Sequence, residues 1–433
     1  MAEKVLILGL SKSGIAAAKF AVSKGYDVYV TEKKNEVNLE QVKELQNLGV
    51  KIEHGSHSEE FISGASFAIT SPGIPPKSEI FRRLNEKNIK IISEIEFAYL
   101  NTKTPFIAIT GTNGKTTTTA LVSHILSKKF SAPVCGNIGV PPTSLIEENH
   151  DFLVCEISSY QAQMTEKFKA KIACWTNFTP DHIDWHGGLE NYFNAKAKIF
   201  LPPQEPEFAI LNAQDTKLKE FSKQCKNVIF FDDGNDCGIK NNSIFYKGEE
   251  IISLKDCPLV GHHNYQNIMC GIIIAKLVGM NNSDIREQIM SFRAPAHRLE
   301  KVREMDGITF FNDSKATNPE ASIVAIDSFN NQNVALILGG RDKNTDLTEM
   351  CHSINKHIKT VLLIGEATER FEENLKKNGF SNIIKEHTME EAIDKAISLK
   401  PDVVLLSPAC ASFDMFKSYE HRGEVFKDYV LSK

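Results

Sequence analysis

No Cys-x-x-Cys pair occurs among the nine cysteines of this 433-residue chain, and their odd number forms no recognisable framework. That excludes a disulfide scaffold and predicts free thiols in a reducing cytosol. Positive charge is not in excess: 50 Lys and Arg stand against 55 Asp and Glu, a formal net charge of −5. A basic stripe for nucleic acid is therefore not expected. Long apolar runs are missing too. The run from Val5 to Leu8 is too short for the core of a signal peptide or for a membrane span, and reads instead as the first strand of a sheet. Cytoplasmic residence without membrane insertion, as a monomer, is the expectation. No repeat or low-complexity tract appears.

Length then sets the organisation. The chain exceeds what one core supports, and its 42% apolar and 24% charged residues are those of a globular protein. Short apolar runs alternate with helical patterns, the signature of an α/β fold with parallel sheets and crossover helices. Strands are expected at 4–8, 27–31 and 67–70, with an Ala-rich helix at 14–23. A new strand at 106–109 puts a domain boundary near Ser93. Strands at 152–155, 172–176 and 208–211 follow, then a polar stretch around 232–257 and a long helix at 264–278. Ala294-Pro295-Ala296-His297-Arg298 suggests a second boundary, and the last third carries strands at 308–312, 334–338, 361–364 and 403–407. Three domains result: 1–93, 94–296 and 297–433.

Residues 110–119 read Thr-Gly-Thr-Asn-Gly-Lys-Thr-Thr-Thr-Thr, between a buried strand and a helix. Strand, Gly-rich turn, Gly-Lys-Thr and helix make a phosphate cradle. Backbone N–H groups at the helix start face anions, Lys115 adds charge, and the Thr116 hydroxyl can ligate Mg²⁺. The usual pattern wants glycine where Ile109 stands. Glu156, at a strand's carboxyl end, is placed to share that Mg²⁺. Asp181, His182, Asp184 and His186 crowd the end of another strand; zinc ligands lack a completing Cys/His set, a Mg²⁺-phosphate role fits better, and a plain polar loop is the alternative.

The first turn, Gly9-Leu10-Ser11-Lys12-Ser13-Gly14, with Glu32 ending the next strand, leaves three readings open: a tight strand–helix turn, a dinucleotide site, or a site for another diphosphate such as a UDP-sugar. The phosphate loop elsewhere favours the last. Segment 191–200 is helical by period, and by residue chemistry alone its Lys196 is a solvated face residue. Asn312 to Pro319 follows a strand and opens a helix, putting Lys315 at a helix N-terminus where it suits an anion. Gly339 to Lys343 and Ser407 to Asp414 also follow strands. Three such turns in one domain suggest one cleft for a carboxylate or phosphate substrate.

Taken together, these residues resemble the Mur ligases, ATP-dependent amino-acid ligases of peptidoglycan synthesis. The resemblance rests on Gly111 to Thr117, Asn177 to Asp184, Gly261-His262-His263-Asn264, His297-Arg298 and Asn312 to Asn318. Gly136 to Gly139, Glu156 to Gln161, and Leu406 to Asp414 continued by Lys417 to Gly423 resemble the members that add D-glutamate. The absence of glycine at Ile109 belongs to the family's loop. The resemblance implies an N-terminal Rossmann-like UDP-binding domain, a central P-loop ATPase-like domain and a C-terminal Rossmann-like domain. It implies that D-glutamate is joined to UDP-N-acetylmuramoyl-L-alanine with ATP and Mg²⁺ at two sites, through an acyl phosphate.

It also implies residue roles. Gly111, Thr112, Asn113, Gly114, Lys115, Thr116, Thr117, Asn267, Arg298 and Asp313 would contact ATP. Thr116, Glu156 and His182 would serve the metal ions, with Lys196 as a carbamate. Lys315 would meet the reacting phosphate. Lys315, Thr317, Lys343, Ser412 and Tyr419 would line the D-glutamate site. Ser11, Lys12, Ser13, Lys33, Lys34, Gly73, Asn137 and Ser158 would line the UDP-sugar site, although Lys33-Lys34 stands where some relatives carry Thr-Arg. Folate-polyglutamate ligases begin near the phosphate loop, whereas this chain places about 100 residues ahead of it. The Asp-Asn/Asp-Pro-Arg motif of the diaminopimelate- or lysine-adding member is not present. An NAD-dependent oxidoreductase and a non-catalytic nucleotide switch are the rivals from other classes.

Overall fold

A computed structural model describes the chain except Met1, His182, Val260, Ala294, Pro295, Asn330, Asn331, Lys343 and Asn344, and except the side chains of Asp184 and Glu320. It divides into two compact units, Met1–Cys257 with Gln266–Phe292, and Pro258–Tyr265 with Arg293–Lys433. The first unit holds two sheets and the second holds one.

The first sheet has five parallel strands in the order Lys51–His54, Asp27–Glu32, Lys4–Leu8, Phe67–Thr70 and Lys90–Ser93. Its Ala-rich helix, Lys12–Ser23, lays Ala17, Ala18, Phe20 and Ala21 on one face of the sheet, because small side chains let helix and sheet approach closely. Ile80, Phe81 and Leu84 cover the other face.

The second sheet has nine strands, with Phe106–Thr110 between Leu153–Glu156 and Ile172–Trp175. Phe106–Thr110 is buried along its whole length, as a strand covered on both faces must be. Trp175 anchors an aromatic cluster, its ring centroid 5.0 Å from Phe193, 5.3 Å from Phe200 and 5.5 Å from Phe221. The stretch read as polar connection at 232–257 is instead three short antiparallel-paired strands, Cys237–Lys240, Ser243–Tyr246 and Glu249–Ser253. Asn241, Asn242 and Lys247 turn their hairpins with positive φ, a turn chemistry hidden inside a charged segment.

In the second unit the order is Glu300–Met305, Ile308–Asn312, Val403–Leu406, Val334–Gly339, Thr360–Ile364 and Ile383–Lys385. Only the first pair is antiparallel. Met350, Ile354 and Phe371 cover one face, and Ile393, Phe426 and Val430 the other.

Two buried carboxylates fix the passage from the first sheet to the second. Ser93 ends the first sheet and caps the helix Glu94–Leu100, its Oγ accepting from Glu96 N at 3.2 Å. Glu96 accepts the main-chain amides of Glu166, Lys167 and Phe168 at 3.0, 2.8 and 2.9 Å. Glu94 accepts from Thr143 N and Oγ1 at 2.7 and 2.6 Å, and burial pushes its carboxyl up to about 7. Replacing Glu96 by Ala leaves three amides without their acceptor. Urea unfolding should record a loss of about 3 kcal/mol; a change under about 0.5 kcal/mol, the range of ordinary surface substitutions, would show that the amides find other partners.

Candidate active site

The turn after Phe106–Thr110 is built for close approach. Gly111 has φ +149° and Gly114, the cap of helix Lys115–Leu126, has φ +81°. A Cβ at Gly111 would stand 1.9 Å from Thr176 Oγ1, and one at Gly114 2.7 Å from Asn267 Oδ1. The segment leaving the neighbouring strand braces this loop. Thr112 N donates to Asn177 O at 3.0 Å, Asn113 N to Asn177 Oδ1 at 2.9 Å, and Thr176 Oγ1 to Asn113 O at 2.6 Å. Thr117 is buried in the first helical turn, and Thr118 Oγ1 donates to Asn267 Oδ1 at 3.0 Å.

Charged groups converge on the loop. Lys115 Nζ donates to Gly111 O at 2.9 Å and Thr112 O at 2.7 Å. Thr116 Oγ1 donates to Glu156 Oε2 at 2.8 Å, and Asn137 Nδ2 to Glu156 Oε1 at 2.7 Å. Asn137, expected at the UDP-sugar site, therefore shares a carboxylate with the phosphate-loop threonine. Ser158 caps the helix Ser159–Gln163 in a reciprocal capping box with Gln161.

Lys196 is not the solvated residue its helix position suggests. It is 1% exposed, its Nζ donates to Gly111 O at 2.7 Å, and it lies 4.9 Å from the Tyr192 ring centroid. Burial, reinforced by the Lys115 charge, drives its pKa well below the usual lysine value. His182 lies outside the described residues.

At the first sheet, Ser11 Oγ donates to Ser71 Oγ at 2.9 Å and lies 3.1 Å from Ser13 Oγ. A Cβ on Gly14 would lie 2.0 Å from Gly9 O, so the turn is tight. Glu32 accepts from Leu10 N and Lys34 N, both at 3.0 Å, and so braces the same turn. Lys12, Lys33, Lys34 and Gly73 are exposed.

In the second unit the three anticipated turns leave adjacent strands, Ile308–Asn312, Val403–Leu406 and Val334–Gly339. Asp313 is buried and accepts from Ser407 Oγ at 2.8 Å and Leu299 N at 3.2 Å; burial pushes it up to about 7 against the opposing pull of those bonds and of Arg298 and Arg422. His297, Leu299 and Ala409 all hold positive φ, strain of the kind that concentrates at functional sites. Lys315 Nζ lies 5.1 Å from the Tyr419 ring centroid. The helix starts at Pro319 with Asn318 as its cap, so Lys315 sits in the turn before it rather than at its N-terminus. Thr317 is half-buried and Ser412 buried, while Lys343 lies outside the described residues. Sequence reading missed Thr176, Ser71 and the Ser407–Asp313 bond. Each is a small hydroxyl at the end of a strand; Ser407 is marked by its motif, but its partner Asp313 is not readable from it.

These loops match known proteins over nearly the whole chain. Residues 3–93 match the Mur ligase MurD-like N-terminal domain, 109–275 the Mur ligase middle domain, and 297–410 the Mur ligase glutamate ligase domain. The chain belongs to the Mur ligase family. It is 37% identical to a UDP-N-acetylmuramoylalanine–D-glutamate ligase of Caldanaerobacter subterraneus, covering 99% of this chain and 98% of that one. It is 39% identical to the ligase of the same name from Koribacter versatilis, covering 99% and 97%. Among solved structures, the UDP-N-acetylmuramate–alanine ligase of Thermotoga maritima shares the fold with a TM-score of 0.63 at 20% identity, covering 99% and 100%. The three domains of this fold are thus present.

The donor set also fits a hydrated Mg²⁺. Among the described residues no group of three or more His, Cys, Asp or Glu could hold a metal ion; His182 and the Asp184 side chain lie outside them. Mg²⁺ needs only one or two carboxylates when phosphates and waters complete its shell, and Glu156 beside Thr116 supplies that.

Asp313 makes a pH-dependent contribution whose sign is fixed. Its unfolded pKa is about 3.9 and its folded value about 7. The folded state therefore holds the proton more tightly, and stability falls as pH rises between those values. Asp313→Asn should match wild type near pH 4 and gain roughly 1–4 kcal/mol by pH 8 in urea unfolding. A gain independent of pH would contradict the buried charge.

Proposed function

We propose that this chain is an ATP-dependent ligase that joins D-glutamate to the alanyl carboxylate of UDP-N-acetylmuramoyl-L-alanine, releasing ADP and phosphate. The observation that carries the reading is its likeness, over almost its whole length, to ligases of that name. The phosphate loop and its buried carboxylate supply the chemistry such a reaction needs.

A carboxylate and an ammonium do not condense in water, so the acid is first activated by phosphoryl transfer as an acyl phosphate. Two anions must meet in that step. The loop amides and Lys115 would hold the ATP phosphates, and Thr116 with Glu156 would hold Mg²⁺, which neutralises phosphate charge when bound. His182 would serve a second ion, Asn267, Arg298 and Asp313 would contact the nucleotide, and Lys315 the reacting phosphate. The amine of D-glutamate, held by Lys315, Thr317, Lys343, Ser412 and Tyr419, then attacks the acyl carbon and expels phosphate. Ser11, Lys12, Ser13, Lys33, Lys34, Gly73, Asn137 and Ser158 would bind the UDP-sugar. Domains at 1–93, 94–296 and 297–433 and a cytoplasmic monomer with small-molecule partners complete the reading. No helix among the described residues is long and apolar enough to cross a membrane.

Phosphate release with ATP, UDP-N-acetylmuramoyl-L-alanine and a panel of amino acids tests it. D-glutamate should stimulate release; a response to L-lysine or diaminopimelate alone would overturn the assignment.

Lys196 is proposed to work as a carbamate. Carbamylation needs the neutral amine, which attacks CO₂ and gives N–COO⁻ with loss of a proton. Burial beside Lys115 favours that neutral form, and the new carboxylate would then face Lys115 and the metal site. Lys196→Ala should lose most activity with its fold intact, since Ala suits a helix. Acetate or formate should restore part of it and a neutral amide should not. Full activity without additive would remove the role.

A further inference from the structure

Arg422 is 0% exposed, among the largest fully buried side chains of the molecule. Its guanidinium bonds only to neutral oxygens. Nε donates to Ser314 Oγ at 2.9 Å; Nη2 donates to Ser314 O at 2.8 Å and Cys410 O at 3.1 Å; Nη1 reaches Ala411 O at 3.4 Å and Gly339 O at 3.5 Å. These acceptors belong to all three turns at the carboxyl ends of the adjacent strands. Among the described residues no carboxylate lies within ion-pair distance of it.

The neighbourhood is shaped around this side chain. Gly340, at φ +135°, would carry a Cβ 3.1 Å from Arg422 Nη1 and 2.3 Å from Ala411 O, so glycine is required where the second turn passes the guanidinium. Arg341 N donates to Ala411 O at 2.8 Å, tying the second turn to the third. Ser314 Oγ, which receives Arg422 Nε, itself donates to Tyr419 O at 2.8 Å.

We infer that Arg422 is a positioning residue for the D-glutamate pocket: one planar cation, bonded to three turns at once, sets their mutual register and lends the pocket floor a fixed positive charge. The inference rests on the functional reading above and names a device within the same site. Two physical facts support it. Asp313 and Asp414 favour its charge from a distance, but no carboxylate bonds to it directly; a buried charge held this way is costly, and replacing it by a packed apolar side chain often stabilises a protein, so stability is a poor reason to keep it. A guanidinium also presents five donors in a rigid plane, so it fixes the relative positions of several carbonyls in a way an ammonium does not. Burial lowers its pKa only to about 10, and it stays charged at neutral pH. A substrate bearing two carboxylates gains from such a cation beneath the turns that hold it.

The test compares wild type, Arg422→Lys and Arg422→Ala in the phosphate-release assay, with thermal melts to establish folding. Arg422→Lys keeps the charge and loses the plane. Its KM for D-glutamate should rise roughly tenfold or more while that for ATP stays within about twofold, the pattern of a lost substrate-positioning contact. Guanidinium chloride at tens of millimolar should restore part of the Arg422→Ala activity, and ammonium chloride at equal ionic strength should not. If neither variant folds, Ser314→Ala removes only the Nε acceptor and the link to Tyr419, and should show the same selective rise at about two- to fivefold. An unchanged KM for D-glutamate in the folded variants, equal rises for both substrates, or no selective rescue would overturn the inference. A wild-type enzyme inert to D-glutamate overturns the functional reading instead.

Discussion

The Glu156 carboxylate is the constraint on which the central site depends. It is buried at a strand end, where its oxygens need donors. Thr116 from the phosphate-loop helix and Asn137 from a separate loop meet it, one on each oxygen. Thr116 reaches it because its helix starts directly after Gly114, where a Cβ would stand 2.7 Å from Asn267 Oδ1. Once those bonds are made, the loop amides, Lys115 and the carboxylate have one relative geometry. If the cradle holds phosphates as proposed, it is preorganised, with little reorganisation left when charge develops.

That chain of dependence explains what the sequence made legible. The phosphate loop was readable because its chemistry is local: glycines for positive φ, a lysine, a threonine and a strand and helix on either side. The strands at 4–8, 106–109 and 334–338 were readable because each is an apolar run buried on both faces. The hairpins at 237–253 were not, since their strands are only four or five residues long and their positive-φ turn residues, Asn241, Asn242, Lys247 and Gly248, lie inside a charged and polar segment. The burial of Lys196 was invisible for another reason. A helix face is solvated or covered according to what packs on it, and the cover here is the loop carbonyl of Gly111, distant in sequence. Asn137 belonged to a recognisable motif, but its bond to Glu156 joins segments that only the sheet brings together.

Lys196 and Arg422 then show two outcomes of burying a cation. Both are withdrawn from water, and both bond to main-chain carbonyls. An ammonium can escape the cost by losing its proton, and the second charge of Lys115 nearby pushes it that way. A guanidinium has no such escape near neutral pH, because its ordinary pKa is so high that burial leaves it charged. The lysine is thereby biased toward its neutral form, and the arginine is kept charged. The first suits a position where charge of the opposite sign is wanted. The second suits a place where three turns are held in register by one fixed set of bonds.

The division of labour between sheets follows from the same logic. In the first unit the buried groups are carboxylates with main-chain and hydroxyl donors, Glu94, Glu96 and Glu156, and they sit where chain segments from different parts of the sequence are joined. In the second, the buried Asp313 and Arg422 sit at strand ends beneath the turns. Apolar packing fills each unit's core tightly, but it sets no hydrogen-bond direction for the loops above it. Buried polar groups with several short, directional bonds do set it, and Glu156, Asp313 and Arg422 brace the turns that follow the central strands.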